Sequence, residues 1–494
     1  MTRLSDAILR SLNPSVLCPA YNRASLKTGI VHLGLGAFHR AHMASYIEAC
    51  LFDDPRWGIC GVSLRSSDTR DALSPQNGLY SLGVEGDEGL SVQVIGALQQ
   101  VVVAPQEPER LEAALLSPDT RIVSLTITEK GYCYDPATGR LNLDHPDIQH
   151  DLTTDGYPRS AIGWLARSLL ARRQAGLPAF TLLSCDNLPS NGALLRQIML
   201  DYLQKNAPEA IDWAQDNLAC PSTMVDRIVP ATTDENRAAM ASTLGVHDAW
   251  PVMSEPFSQF VVEDNFPQGR PAWEPHGVTM AGDVEPYEKM KLRMLNGSHS
   301  TIAYLGFLAG HETVADTIQD VAFRTLIHDL MTLEVMPTLQ MPEGIDLPAY
   351  RDALLLRFAN TTLKHKTYQI AMDGSLKLPQ RLLDTIRQRL MNGQSIDRLA
   401  LGIAAWMRYV KGIDEAGKPI TIQDPIAEEI AEKVAKKSAS PSSLAQALMG
   451  IQSMFGDDLA NNPLFVGPVV EKLEMLTTQG AQKTVQATNA LVRN

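Results

Sequence analysis

A chain of 494 residues is too long for one hydrophobic core and requires two or three domains. Its 45% hydrophobic and 20% charged residues are ordinary for a soluble globular protein. The balance of 43 Lys+Arg against 56 Asp+Glu, a net charge of −13, argues against nucleic acid or an anionic membrane as the main partner.

Six cysteines, at 18, 50, 60, 133, 185 and 220, never come closer than ten residues. That leaves no C-x-x-C or paired Cys/His spacing for zinc, and scattered thiols suit a reducing compartment. With Asp6 and Arg10 among the first residues, the start lacks the apolar core of a signal peptide. The longest apolar runs, such as 401–407, fall short of the roughly 20 residues a membrane helix needs. A soluble, cytoplasmic protein is expected.

The first 28 residues are polar, with Pro14 and Pro19, and read as an arm laid over the surface. Next comes Gly29-Ile-Val-His-Leu-Gly-Leu-Gly-Ala-Phe-His-Arg-Ala-His42. Ile30, Val31 and Leu33 make a short strand, Gly34-x-Gly36 a tight turn, and Ala41, Ala44, Tyr46 and Ile47 the apolar side of a helix. Strand, glycine turn and helix open a dinucleotide-binding unit, in which backbone N–H groups at the helix start bind a pyrophosphate. Gly34, Gly36, Ala37, Phe38, His39 and Arg40 are therefore cofactor-binding candidates, although His39 stands where the usual third glycine would be. Residues 57–64 form the second strand. Past its end, Asp68 could hold the ribose of NAD and Arg65 could accept a 2′-phosphate; NAD is expected, with NADP left open.

Residues 79–104 alternate with period two around a turn at 85–89, which predicts inserted antiparallel strands. Residues 121–128 and 180–184 are buried strands that lead into Glu129 and into Cys185-Asp-Asn187. Residues just past the carboxyl ends of strands line the crevice of an open α/β sheet, so Glu129 and Asn187 are site candidates as well as turn formers. A helix spans 161–173. Within 222–230, Asp226 and Arg227 stand side by side, either as an ion pair or as polar groups facing the crevice. Strand-like sequence recurs in 253–266.

From Tyr287 onward strands cease, and 314–336, 346–358, 378–391, 396–411, 424–437, 441–454 and 465–478 read as helices. An α/β half, 1–283, thus precedes an all-helical half, 284–494. At the head of the second half, a helix beginning after Pro286 carries Lys291, Asn296 and His299 among Met290, Leu292, Met294 and Leu295. At about 100° per residue, Asn296 lies roughly 140° round from Lys291, with His299 between them at about 80°. These are either hydrogen-bonded groups of a core helix or a proton-transfer site, since a lysine held among apolar residues loses basicity and becomes a usable base near neutral pH. Farther on, Leu363-Lys-His-Lys366 and the stretch from Asp373 through Lys377 to Arg381 concentrate basic residues, suiting a solvated loop or an anionic substrate group.

Five ordered motifs then stand out: Gly34-Leu-Gly-Ala-Phe-His-Arg-Ala-His42, Thr128-Glu-Lys-Gly-Tyr132, Ser184-Cys-Asp-Asn187, Thr223-Met-Val-Asp-Arg-Ile-Val-Pro230 and Lys291-Leu-Arg-Met-Leu-Asn-Gly-Ser-His-Ser300. Together they resemble the polyol-specific long-chain dehydrogenase/reductase family, which includes mannitol dehydrogenases and fructuronate reductases. The resemblance implies a Rossmann-type α/β N-terminal domain, a mostly α-helical C-terminal domain, and NAD(P)-dependent oxidation of a secondary alcohol without a catalytic metal. It makes Lys291 the general base, and Asn187 and Asn296 the amides that polarise the reacting oxygen. It gives His299, Asp226 and Lys377 to the substrate, and Glu129 and Glu288 to a proton relay. The run 367–383 resembles the fructuronate reductase branch, and Gln369 stands where mannitol dehydrogenases have an arginine. The implied reaction interconverts D-fructuronate and D-mannonate in hexuronate catabolism, the alternative being a mannitol 2-dehydrogenase or arabinitol dehydrogenase. A sugar-acid carboxylate could meet Lys364, His365 or Lys366. The expected partner is a small sugar acid or polyol, and the expected assembly a monomer or small homo-oligomer.

Overall fold

The apolar segments of the first half become strands: β1 (Thr28–Leu33), β2 (Gly58–Ser63), β3 (Tyr80–Gly86), β4 (Gly89–Ile95), β5 (Leu98–Val103), β6 (Ile122–Leu125), β7 (Tyr134–Asp135), β8 (Arg140–Leu141), β9 (Thr181–Ser184), β10 (Thr223–Asp226), β11 (Val252–Ser254), β12 (Gln259–Glu263) and β13 (Thr279–Ala281). They are seen in a computed structural model that describes residues 2–86, 89–437 and 440–490. The chain divides into two units, Met1–Glu285 and Pro286–Asn494, two residues past the boundary drawn at 283.

In the first unit, β5-β2-β1-β6-β9 form one parallel sheet. The chain runs outward from β1 through β2 to β5, then crosses to β6 and β9, so the strand order reverses between β1 and β6. Ligands of open α/β sheets bind at that switch point, beyond the carboxyl ends of the strands. The strands are buried on both faces, as parallel sheets are. Val31, Leu33, Val62 and Val123 pack with Ile162, Leu165, Leu195 and Ile198 of the helices Ala161–Gln174 and Asn191–Asn206. Ile30, Ile59, Ile122 and Leu183 face the other way, toward Ala44, Ile47, Trp57 and Trp273.

Two sequence expectations change. The strands β3 and β4 form the expected antiparallel hairpin, although residues 87–88 of its turn lie outside the described residues. By contrast β5 is no part of an antiparallel insert: it extends the main sheet parallel to β2, with Ser63 opposite Val103. Alternation marks which face a residue occupies and not which strand it pairs with. The N-terminal arm is also more than polar cover. Leu4, Leu12 and Val16 are buried in a satellite core with Val92, Val94, Met240 and Leu244.

Among the described residues the second unit has helices and no named strands. The Asp397–Val410 helix buries Leu399, Ile403, Trp406 and Val410 and packs on Pro463–Ala490, which buries Val469, Leu473, Leu476 and Val485. The segment 314–336 is one expected helix but several real ones. It breaks at Asp320, whose side chain caps the next helix by accepting from the Ala322 N–H. No helix of the described residues is long and apolar enough to cross a membrane.

The helix that carries Lys291 departs most from expectation. It is α-helical over Glu285–Met290, a π-turn over Lys291–Asn296, and α-helical again over Gly297–Leu308. The Gly297 N–H reaches back five residues to Leu292 O. Among the described residues π-turns recur at Leu330–Val335 and Pro379–Leu383, the latter beginning at a proline with no N–H to give.

Candidate functional sites of the two units

In the first unit, the carboxyl ends of β1, β2, β5 and β6 open onto a cavity of about 790 Å³, lined by Gly34, Gly36, Arg65, Ser66, Thr126 and Thr128 among others. Gly34 has φ +90°, and a Cβ there would lie 2.2 Å from Thr126 O, so only glycine lets β1 and β6 approach this closely at the rim. Beyond it Gly36 and Ala37 are exposed and Phe38 partly so, which leaves the start of the helix open to the cavity. The next two candidates turn inward. His39 is buried, its ring stacked 3.3 Å from that of His32. Arg40 is buried and donates to Trp250 O (2.6 Å), while the Tyr80 hydroxyl donates to Arg40 O (2.8 Å). Arg65, Ser66 and Thr69 line the cavity past β2. Asp68 is exposed in the first turn of the Asp68–Leu73 helix, where the helix dipole favours its charge.

The strands beneath the cavity are joined by a buried histidine. His32 in β1 pairs through Nδ1 with Ser124 Oγ (2.8 Å) and through Nε2 with Thr126 Oγ1 (2.9 Å), both on the β6 segment. Burial depresses its pKa to about 3 and holds that of His39 well below the ordinary value, so both rings are neutral at physiological pH.

At the end of β9, Asn187 is exposed, and its loop is held by two residues that sequence reasoning passed over. Asp186 accepts from the Ile127 N–H (2.9 Å), the Thr128 N–H (3.0 Å) and the Tyr132 hydroxyl (2.8 Å), and Thr128 itself has φ +62°. Burial raises the Asp186 pKa and these donors oppose the rise. Asn191 donates to Asp186 O (3.0 Å) and Thr223 O (3.0 Å) and accepts from the Thr223 N–H (2.9 Å), fixing the loop to β10. The one local hint is the carboxylate directly before Asn187; the amide lies four residues on, and the partners of both are distant in sequence. Asp226 ends β10, buried, opposite Gln259 of β12. Its neighbour Arg227 does not pair with it. That guanidinium donates to Ala41 O (2.5 Å) and Glu255 O (3.1 Å), so the ion-pair reading gives way to a brace on backbone carbonyls. Glu129 is exposed and accepts from the Tyr134 hydroxyl (3.2 Å).

In the second unit the π-turn gathers the candidates. Bonding from i to i+5 turns Asn296 toward the face of Lys291, closer than the α-helical estimate allowed. Lys291 is buried, with 8% of its surface exposed; Asn296 and Glu288 are half-buried. Two contacts hold the widened turn. The Arg293 guanidinium donates to Thr338 Oγ1 (2.8 Å) and Gln388 Oε1 (2.6 Å), and Gly297 packs so closely that a Cβ would lie 2.8 Å from Arg381 O. His299 is buried with its ring 4.7 Å from that of Phe358 and 5.4 Å, edge-on, from that of His365. Burial first, then His365, Arg357 and Arg381, hold its pKa well below normal. Lys377 is half-buried, its Nζ donating to Met372 O (2.6 Å); burial and the Arg381 charge lower its pKa. Of the basic run 364–366, His365 alone turns toward His299. Lys364 is exposed at φ +41°, and Lys366 is exposed beside Glu312 at 3.4 Å.

Nearly the whole chain is similar to proteins of one family. Residues 28–275 match the model of the mannitol dehydrogenase Rossmann domain, and 283–477 that of the mannitol dehydrogenase C-terminal domain. A D-mannonate oxidoreductase of Escherichia coli (strain K12) is 46% identical over 99% of this chain and 100% of its own. A mannitol 2-dehydrogenase of Phaeosphaeria nodorum is 42% identical over 95% of this chain and 83% of its own. Among solved structures, a Pseudomonas fluorescens mannitol 2-dehydrogenase in ternary complex with NAD and D-mannitol matches with a TM-score of 0.84 and 40% identity, covering all of both chains. The chain belongs to the mannitol dehydrogenase family of oxidoreductases.

Proposed function

We propose that the protein is an NAD-dependent reductase that interconverts D-fructuronate and D-mannonate. The observation that carries this is the basic surroundings of His299: the guanidiniums of Arg357 and Arg381 act on it, and Lys377 stands by Arg381, in the helical unit of a protein whose net charge is −13. Such a cluster suits a sugar acid better than a neutral polyol. The 46% identity to a D-mannonate oxidoreductase points the same way.

The first unit suits a dinucleotide. The helix start is uncovered at Gly36 and Ala37, a Cβ at Gly36 would meet nothing nearer than 3.8 Å, and the cavity lies at the switch point of the sheet. Gly34, Gly36, Ala37 and Phe38 would hold the pyrophosphate, with Arg65, Ser66 and Asp68 toward the adenosine ribose, while His39 and Arg40 fix the helix from inside. When bound, the nicotinamide supplies the hydride. Lys291 carries the proton: as ammonium it gives one to the ketone oxygen in reduction, and as amine it takes one from the alcohol in oxidation. The amide of Asn296 donates to that oxygen as negative charge develops on it, the role the family resemblance also gives to Asn187. In the helical unit His299, Lys377 and His365 hold the substrate and Glu288 serves the proton relay; the resemblance gives these same tasks to Asp226 and Glu129 of the first unit.

The test is to supply D-fructuronate with NADH, follow absorbance at 340 nm and identify the product by NMR. D-Mannonate as the product supports the reading. Faster oxidation of D-mannitol with NAD, and no turnover of the uronate, would favour the mannitol 2-dehydrogenase reading, to which the fungal relative and the solved ternary complex lend weight.

A further inference from the structure

We propose that Arg381 receives the carboxylate of the sugar acid and so separates an acid substrate from a neutral polyol. The inference rests on the hexuronate reading and names the residue that enforces it. Arg381 stands in the π-turn Pro379–Leu383, against the turn that carries Lys291 and Asn296. Its Nη1 donates to Ser300 Oγ (3.2 Å) and Asn296 O (3.5 Å), both neutral acceptors. No carboxylate of the described residues forms an ion pair with it, although acids abound elsewhere in the chain. The titratable groups that interact with it are the bases Lys377 and His299 and the Tyr304 phenol, whose pKa burial raises so that it carries no charge at neutral pH.

A half-buried guanidinium set against neutral partners is less favourable than one that an anion offsets. Burial here pushes its pKa down to about 10, the mark of a charge with no compensating acid. Its remaining N–H groups are not among the buried polar atoms that lack a partner, and Arg381 is only partly buried, so they reach accessible space. A planar fork with unspent donors, packed against the turn that carries the proposed proton carrier, is suited to a carboxylate. Lys364 and Lys366, exposed on their loop, lack this setting.

A merely structural Arg381, clamping Asn296 and Ser300, would affect every substrate alike. The test compares the full-length enzyme with R381Q and R381K, using NADH with D-fructuronate and with D-fructose, the neutral ketose. Competitive inhibition by D-mannitol supplies the neutral comparison where fructose turnover is too slow. For R381Q the proposal expects KM for fructuronate to rise about 100-fold with kcat little changed. Fructose kinetics or mannitol inhibition stay near wild type, and R381K recovers part of the loss. Thermal melting and NADH fluorescence titration confirm that each variant is folded. An unchanged fructuronate KM, or equal losses on acid and neutral ligands, overturns the role of Arg381 while leaving the hexuronate reading intact. A wild type that reduces fructose and not fructuronate overturns that reading, and the proposal with it.

Discussion

Lys291 is buried and sits in a turn whose bonding pattern brings Asn296 round toward it, so an amine and an amide can address one oxygen. Removal of a positioned general base costs about 10²- to 10⁴-fold in rate. Lys291→Ala is therefore expected to lose that much kcat while its Kd for NADH, read by fluorescence, stays within a few-fold of wild type. Near-normal turnover would remove Lys291 from the base role. The candidate residues themselves were legible in the sequence. Lys291, Asn296 and His299 announce themselves as polar groups in an apolar helix, and Asn187 and Asp226 as polar groups at strand ends. Their supports were not legible, because Asp186 and Asn191 act through backbone groups of Ile127, Thr128 and Thr223, far away in sequence.

At the scale of elements, the π-turn is the part of the site that no local pattern encodes. Its residues are ordinary helix formers. What accompanies the widened turn is Arg293 bound to Thr338 and Gln388, and Gly297 seated on Arg381 O. Gly297→Ala would drive a methyl to 2.8 Å from that carbonyl. Overpacking of this kind costs about 1–3 kcal/mol. The expected result is a lower Tm together with reduced kcat, since the turn that orients Asn296 must shift; an unchanged Tm and kcat would show the turn to be indifferent to its packing. The join between β1 and β6 makes a second prediction. His32 has a folded pKa of about 3 against 6.5 for the free group, so the unfolded chain takes up the proton first. Its contribution is complete above pH 6.5 and is lost as pH falls toward 3, by about 1.4 kcal/mol per pH unit. His32→Gln should flatten the fall of Tm between pH 6.5 and 5 relative to wild type; an equally steep fall would assign the acid sensitivity to other groups.

At the scale of the whole molecule, the two-part plan could be read from hydrophobic periodicity. Strands with buried runs give way near residue 283 to amphipathic helices, and the structure divides after Glu285. Pairing could not be read in the same way, which is why β5 was expected in a hairpin and lies instead at the edge of the parallel sheet. Nor could the arm's anchors be recognised, because Leu4, Leu12 and Val16 gain meaning only beside Met240 and Leu244. The basic run 364–366 was legible as charge, yet chain geometry turns His365 inward and leaves both lysines in solvent. What the whole then offers is an α/β unit with a cavity at its switch point and a helical unit with cations around a buried imidazole. The most direct measurement of this account is the ratio of kcat/KM for D-fructuronate to that for D-fructose, both with NADH under the same conditions. The account predicts that the acid is favoured by about 100-fold or more, one carboxylate–guanidinium contact's worth. A ratio near one, or in favour of fructose, would contradict it.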